Sequence, residues 1–323
     1  MNAQTSVTQS AIRAAYARIA PHIRRTPLIE AASPAEGAPA ISLKLELLQH
    51  TGSFKPRGAF NNLLTRAAAP AGCATASGGN HGAAVAYAAA RLGVKARIFV
   101  PEIAAPVKVA KIRAQGAEVT VKGATYYDAL ALCEDYVRES GALSIHAYDS
   151  PETIAGQGSL ALEWEEDLAS AGAGALDTVL VAVGGGGLIG GIATWFKGRA
   201  QIVSVEPEGS RAMHAALGEG RPVDVPVQSI AGDSLGARRV GELVFKIARE
   251  AGVHGVLVAD DAIRAAQKAL WRDFCIVAEP GGAAAYAALL SGAYKPRAGE
   301  RVGVLVCGGN ADLAAFARPA EEA

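Results

Sequence analysis

Lys55 stands between Phe54 and Pro56 in TGSFKPRGAFNN, residues 51–62, in a turn that Gly52 and Gly58 allow to be tight. Pro56 biases the lysine away from the helical region, so the backbone aims its side chain. An amine held against an aromatic ring in a partly dry place has a lowered pKa and attacks carbonyls, which is Schiff-base chemistry. A lone lysine is more often a solvated surface residue. Three further stretches shift that balance. VGGGGLIGG, residues 183–191, follows an apolar run and opens a helix, so its N–H groups converge on an anion such as a phosphomonoester. Tight strand–helix packing uses glycines too, but the loop lacks the GK[ST] of a nucleotide phosphatase and an acid for a ribose. In SGGNHG, residues 77–82, Ser77, Asn80 and backbone N–H groups suit a carboxylate at a helix N-terminus, or simply a helix cap, and His81 alone reads as structural. Cys307, in CGGN at the end of the last apolar run, is a buried structural cysteine or a thiol facing a heteroaromatic nitrogen.

The elements that position these stretches read as an α/β chain. Residues 8–20 form a helix with Ala11, Ile12, Ala15, Tyr16 and Ile19 on one stripe, and ISLKLELLQ alternates like a strand leading to Lys55. Residues 58–69 look helical until Pro70. From about residue 72, strand, loop and helix alternate through CATASGGNHG, ARIFVP, EVTVKG and LSIHAY, which implies parallel strands with right-handed crossovers. Residues 151–169 read as a loop feeding a helix, TVLVA and QIVSVEP as strands, and 208–239 as an irregular stretch suited to an active-site flap.

Length and composition narrow the function. The chain has 323 residues, half of them hydrophobic, enough for two lobes and a large core. Its 31 basic and 31 acidic residues balance without a patch of one sign, which argues against nucleic acid and anionic membrane as partners. Cys73, Cys133, Cys275 and Cys307 are scattered and form no CxxC pair, and no HExxH occurs, so a zinc knuckle or redox motif is not expected. The N-terminus lacks the apolar core of a signal peptide and no run reaches membrane-spanning length, so a cytoplasmic protein is predicted.

Residues 43–62, 77–82, 155–163 (AGQGSLALE), 184–188 (GGGGL), 279–283 (EPGGA) and 306–310 (VCGGN) together resemble the serine/threonine dehydratase family, relatives of serine racemase. The resemblance runs through nearly the whole chain, with the motifs in order. It implies a two-lobed fold-type II pyridoxal-phosphate enzyme, tryptophan synthase β-like, with parallel sheets flanked by helices. A large cofactor-binding domain would comprise 1–71 and 150–323, and a small mobile substrate-binding domain 72–149. Lys55 would form the Schiff base with the cofactor and later move the α-proton. Gly184, Gly185, Gly186, Gly187 and Leu188 would bind the phosphate, Asn80 the ring hydroxyl, Phe54 the ring and Cys307 the pyridine nitrogen. Ser77, Gly79, Asn80 and His81 would take the substrate carboxylate. The implied reaction is dehydration of a β-hydroxy L-amino acid to a 2-oxo acid and ammonia, by a homodimer. L-threonine or L-serine is favoured, and 3-hydroxyaspartate or phenylserine remains open.

This chain departs from the racemase pattern. A serine that follows the first motif residue in racemases is Gly78 here, which cannot donate a proton, so dehydration outranks racemisation. The aspartate that ends the racemase cation site corresponds to Ala212, leaving Glu206 and the Ser210 carbonyl as candidate ligands of a divalent or monovalent cation. Ser234, Arg238 and Arg239, on the flap, suit a polar β-substituent or are simply exposed. The alternatives are a racemase, a β-replacement synthase that consumes a thiol without releasing ammonia, and a non-catalytic amino-acid or cofactor-binding protein.

Overall fold

The computed structural model describes residues 7–34, 40–66 and 70–313. Helix α1 (Gln9–Ile19) starts where the Thr8 hydroxyl accepts from the Ala11 N–H, and it buries Ile12, Ala15 and Ile19 of the expected stripe. Strands β1 (Leu28–Ala31) and β2 (Ile41–Lys44) lead to helix α2 (Lys55–Thr65). Then strand and helix alternate: β3 (Cys73–Ala76), α3 (Asn80–Arg91), β4 (Ala96–Val100), α4 (Pro106–Arg113), β5 (Glu118–Val121), α5 (Tyr126–Ser140) and β6 (Leu143–Ser144). Helix α6 (Pro151–Ser170) crosses to β7 (Thr178–Ala182), α7 (Gly187–Phe196) and β8 (Gln201–Pro207). Helices α8 (Ala212–Glu219), α9 (Gly232–Leu235) and α10 (Glu242–Glu250) precede β9 (His254–Val258), α11 (Asp260–Phe274), α12 (Pro280–Leu290) and β10 (Val302–Leu305).

The strands make two sheets, ordered β1-β2-β10-β7-β8-β9 and β5-β4-β3-β6. Every pairing is parallel except β1 with β2. The residues joining β1 to β2 are too few for a crossover helix, so that edge pair runs antiparallel. Buried runs such as TVLVA and VGVL fit strands covered on both faces. No described helix is long and apolar enough to cross a membrane.

Three local expectations change. Lys55 is the first residue of α2, not part of a turn before a helix at 58, because Pro56 sits in the first helical turn, where its missing N–H costs nothing. The expected extension to residue 69 runs into 67–69, which lie outside the described residues. Helix α6 begins at Pro151, capped by the Ser150 hydroxyl on the Thr153 N–H, so no loop precedes it there. The stretch 208–239 is not wholly irregular, since it contains α8 and α9.

Helix α2 joins two packing regions. Ala59, Phe60 and Leu63 belong to the apolar cluster under the four-stranded sheet, with Val85, Ile98 and Ile145. On its other side Asn62 Nδ2 donates to Thr153 Oγ1 at 2.9 Å and Asn61 Nδ2 to the Glu152 carbonyl at 2.7 Å, both on α6.

Candidate active site

Lys55 lies at the N-terminus of α2, where free N–H groups and the helix dipole disfavour a second positive charge. Its Nζ donates to the Ala147 carbonyl at 3.0 Å and stands 5.1 Å from the Phe54 ring centroid. Burial pushes the amine down to about 8, against the upward pull of Cys307 and Glu279. Two residues on, Arg57 is wholly buried and fixes the helix start: its guanidinium donates to Glu46 Oε2 at 2.8 Å, Glu46 Oε1 at 2.7 Å and Glu163 Oε2 at 3.0 Å. The Phe54 N–H bonds the Cys307 carbonyl at 3.2 Å, bringing the lysine turn against the CGGN loop.

The glycine loop follows β7 and opens α7, as expected. Gly186 adopts φ +92°, a left-handed conformation that a side chain resists, and a Cβ there would meet Val244 Cγ1. A Cβ on Gly185 would overlap the Tyr148 ring, so this loop and the segment carrying Ala147 pack backbone to ring.

Ser77 to Asn80 leave β3 and open α3. Ser77 Oγ accepts from the Gly79 N–H at 3.2 Å, a turn that holds the loop. Asn80 Nδ2 donates to Glu279 Oε1 at 2.6 Å, and its Oδ1 accepts from Asn310 Nδ2 at 2.7 Å. A carboxylate accepts only, so Glu279 fixes which way this amide points. Burial pushes Glu279 up to about 7. His81 is structural in its ring: it is buried, its Nε2 bonds the Ile145 carbonyl at 3.1 Å, and burial followed by Lys55 drives it down to about 3. The site loops thus arise at the carboxyl ends of parallel strands in both sheets, where ligands of open α/β folds sit.

Cys307 is buried, and its Sγ bonds the Gly281 carbonyl at 3.6 Å. Burial, then Glu279, raises the thiol far above its ordinary range, so it stays protonated. These residues fit pyridoxal phosphate by their chemistry: a depressed amine for a carbonyl carbon, a side-chain-free loop at a helix N-terminus for a phosphate, and a neutral thiol for a ring nitrogen.

Nothing in the structure adds support for the candidate cation site, whose side chains have protein partners. Both Glu206 oxygens are taken by N–H groups of α8, Met213 at 2.8 Å and His214 at 2.7 Å, and Ser210 Oγ donates to the Leu235 carbonyl at 2.8 Å. Glu206 therefore caps a helix, and among the described residues no cluster of three or more His, Cys, Asp or Glu could hold a metal. On the flap, Arg239 pairs with Asp224 at 3.5 Å and Glu242 at 3.2 Å, while Arg238 lies over the Tyr127 ring. The Asp233 carboxylate pairs with Lys108, and Lys111 meets Asn310 Oδ1, so two lysines of α4 reach the flap and the CGGN loop. Sequence reasoning assigned no role to Glu279, Tyr148, Lys108 or Lys111. Only Glu279 carried a signal, an acid immediately before a Pro-Gly-Gly helix start.

Residues 19–308 match the family described as pyridoxal-phosphate dependent enzyme. The chain is 41% identical to a phenylserine dehydratase of Ralstonia pickettii over 322 residues, covering 96% of this chain and 95% of that one. It is 38% identical to an L-threonine ammonia-lyase of Geobacter sulfurreducens, covering 94% of this chain and 75% of that protein. The solved structure of maize serine racemase superposes with a TM-score of 0.88 at 31% identity, covering 96% of each chain.

Proposed function

The chain belongs to the pyridoxal-phosphate dependent enzyme family, and we propose that within it the protein dehydrates a β-hydroxy L-amino acid to a 2-oxo acid and ammonia. The observation that carries this reading is the Lys55 amine, lowered to about 8, at the start of α2 beside Phe54, whose N–H bonds the Cys307 carbonyl. Relatives with dehydratase and ammonia-lyase names support it, and the open substrates are threonine, serine, 3-hydroxyaspartate and phenylserine.

Pyridoxal phosphate, when bound, supplies an electron sink that makes the substrate's α-hydrogen acidic. Lys55 Nζ would hold the cofactor at its carbonyl carbon and, when free of it, would serve as the base that takes the α-proton. Gly184, Gly185, Gly186, Gly187 and Leu188 hold the phosphate through N–H groups, and Phe54 packs on the ring. Asn80, oriented by Glu279, donates to the ring oxygen, and Cys307 leaves the ring nitrogen uncharged. Ser77 and the N–H groups of Gly79, Asn80 and His81 hold the substrate carboxylate at the start of α3. Overall the α-hydrogen and the β-hydroxyl are lost as one water, and the released enamine tautomerises to an imine that a second water hydrolyses to the 2-oxo acid and ammonia.

Residues 1–71 with 150–323 act as the cofactor domain in this reading, and 72–149 as the mobile substrate domain, a division supported by the separate four-stranded sheet. Four free cysteines support a reducing, cytoplasmic setting. Against a racemase stands Gly78, which has no side chain to donate a proton and where a Cβ would crowd Val100 Cγ1 at 3.0 Å and Ala104 Cβ at 3.2 Å.

The test is release of 2-oxo acid and ammonia from a panel of β-hydroxy amino acids, both enantiomers included, with Lys55→Ala as control. Release from L-substrates that vanishes in the variant is expected. An intact Schiff-base absorption band with no oxo acid from any substrate would sink the dehydratase.

A further inference from the structure

Three tyrosines gather where the four-stranded sheet ends. Ser77 to Asn80 leave β3 at this carboxyl edge, Tyr126 and Tyr127 open α5 just beyond β5, and His146 to Tyr148 follow β6. The rings of Tyr126 and Tyr127 stand edge to face with centroids 5.7 Å apart. The Tyr148 ring packs on Gly185 of the glycine loop, its hydroxyl donates to the Arg239 carbonyl at 3.4 Å, and the His146 ring meets it edge-on at 4.7 Å. Burial raises the Tyr148 phenol, with Asp149 and then Tyr127 adding to it, which places Tyr127 within electrostatic reach of Tyr148. The Arg238 guanidinium sits 5.8 Å from the Tyr127 ring centroid.

Tyr126 and Tyr127 remain 43% and 51% exposed, so the core of α5, which buries Ala129 and Cys133, does not use them. Two large rings at the first turn of a helix cost apolar exposure unless something covers them. Their neighbour Tyr148 follows Ala147, whose carbonyl receives the Lys55 amine. Tyr148 thus adjoins the nucleophile through Ala147, and Tyr127 and Tyr148 meet the flap at Arg238 and Arg239. Its surface is made of π faces and ring edges. The Arg239 charge is neutralised by Asp224 and Glu242, and Arg238 rests over a ring.

We propose that Tyr126, Tyr127 and Tyr148 form an aryl-selective subsite for the substrate's β-substituent, so that the preferred substrate is a β-aryl-β-hydroxy amino acid of the phenylserine type. An aryl group gains edge-to-face contacts with rings at such spacings and covers their exposed surface, whereas a methyl group gains little. A carboxylate would face the negative π faces of the rings. This inference rests on the dehydratase reading above, and its test separates the two.

The holoenzyme is assayed with phenylserine, threonine and 3-hydroxyaspartate, alongside Tyr127→Ala and Tyr127→Phe. Phenylserine is expected to have the highest kcat/KM. Its ratio to threonine should fall about tenfold in Tyr127→Ala and return in Tyr127→Phe. Oxo acid formed preferentially from threonine or 3-hydroxyaspartate overturns the subsite while leaving the dehydratase standing, and so does an unchanged ratio in Tyr127→Ala. If no substrate yields oxo acid, calorimetric binding of phenylalanine and alanine, which have no β-hydroxyl to lose, reads the subsite alone. Phenylalanine binding about tenfold tighter supports it, and equal affinities overturn it.

Discussion

Lys44 Nζ lies 2.7 Å from Glu163 Oε1, with both side chains completely shut off from solvent. The other Glu163 oxygen holds Arg57, and the Thr26 N–H bonds Oε1 at 2.8 Å. One carboxylate of α6 thus ties strand β2 to the helix that begins with Lys55. Burial works to raise this carboxyl, yet Arg57 and Lys44 hold it below its ordinary value.

Glu163→Gln keeps the shape and removes the charge, which leaves two buried cations short of a counter-ion. A loss of about 3–5 kcal/mol is expected from urea unfolding. A loss under about 1 kcal/mol would show that Glu46 suffices for Arg57, and Asp167, 3.0 Å from the Lys44 amine, for Lys44. Because the folded carboxyl lies below its usual 4.5, this stabilisation is present above that pH and fades as pH falls through the lower folded value.

The Lys55 amine is lowered to about 8 from 10.5. Only the neutral amine attacks a carbonyl, so the rate at which the apoprotein captures pyridoxal phosphate should climb about tenfold per pH unit and level off near 8. Stopped-flow absorbance across pH reads this directly. A rate still rising at pH 10 would mean that the site leaves Lys55 an ordinary lysine.

Gly186→Ala combines a left-handed φ with a collision at Val244 Cγ1. Strain of about 1–3 kcal/mol is expected, appearing as weaker cofactor binding in a fluorescence titration with a smaller change in the unfolding midpoint. Unchanged affinity would count against the loop as the phosphate site.

Glu206→Ala removes the acceptor for two N–H groups of α8 and should cost about 1–2 kcal/mol of stability. Because Ala212 stands where the racemase cation site ends in an aspartate, a chelator should leave wild-type turnover unchanged. Loss of activity with EDTA, restored by a divalent cation, would reinstate the cation site.

The sheet alternation and the glycine loop were legible because they are local: apolar runs of strand length, glycines and caps are written in consecutive residues. The lysine's neighbourhood was legible only in part. Pro56 pointed away from a helix at Lys55, and the advantage of proline in a first turn outweighed that bias. The partners of Glu206 could not be read from order alone, because the α8 N–H groups that its oxygens accept reach it only through the fold. The Glu279–Asn80–Asn310 chain joins residues about two hundred positions apart, and no spacing in the sequence announces such a contact.

Helix α2 feeds Phe60 into one apolar cluster and bonds α6 through Asn61 and Asn62 on its other side. Neither sheet can lose its neighbour without stripping that helix of half its support. Heat or denaturant should therefore melt the chain as one cooperative unit, and a fragment cut out around either sheet would not keep the nucleophile's helix in place. The reactive lysine is lodged in the member on which the integrity of the whole molecule turns.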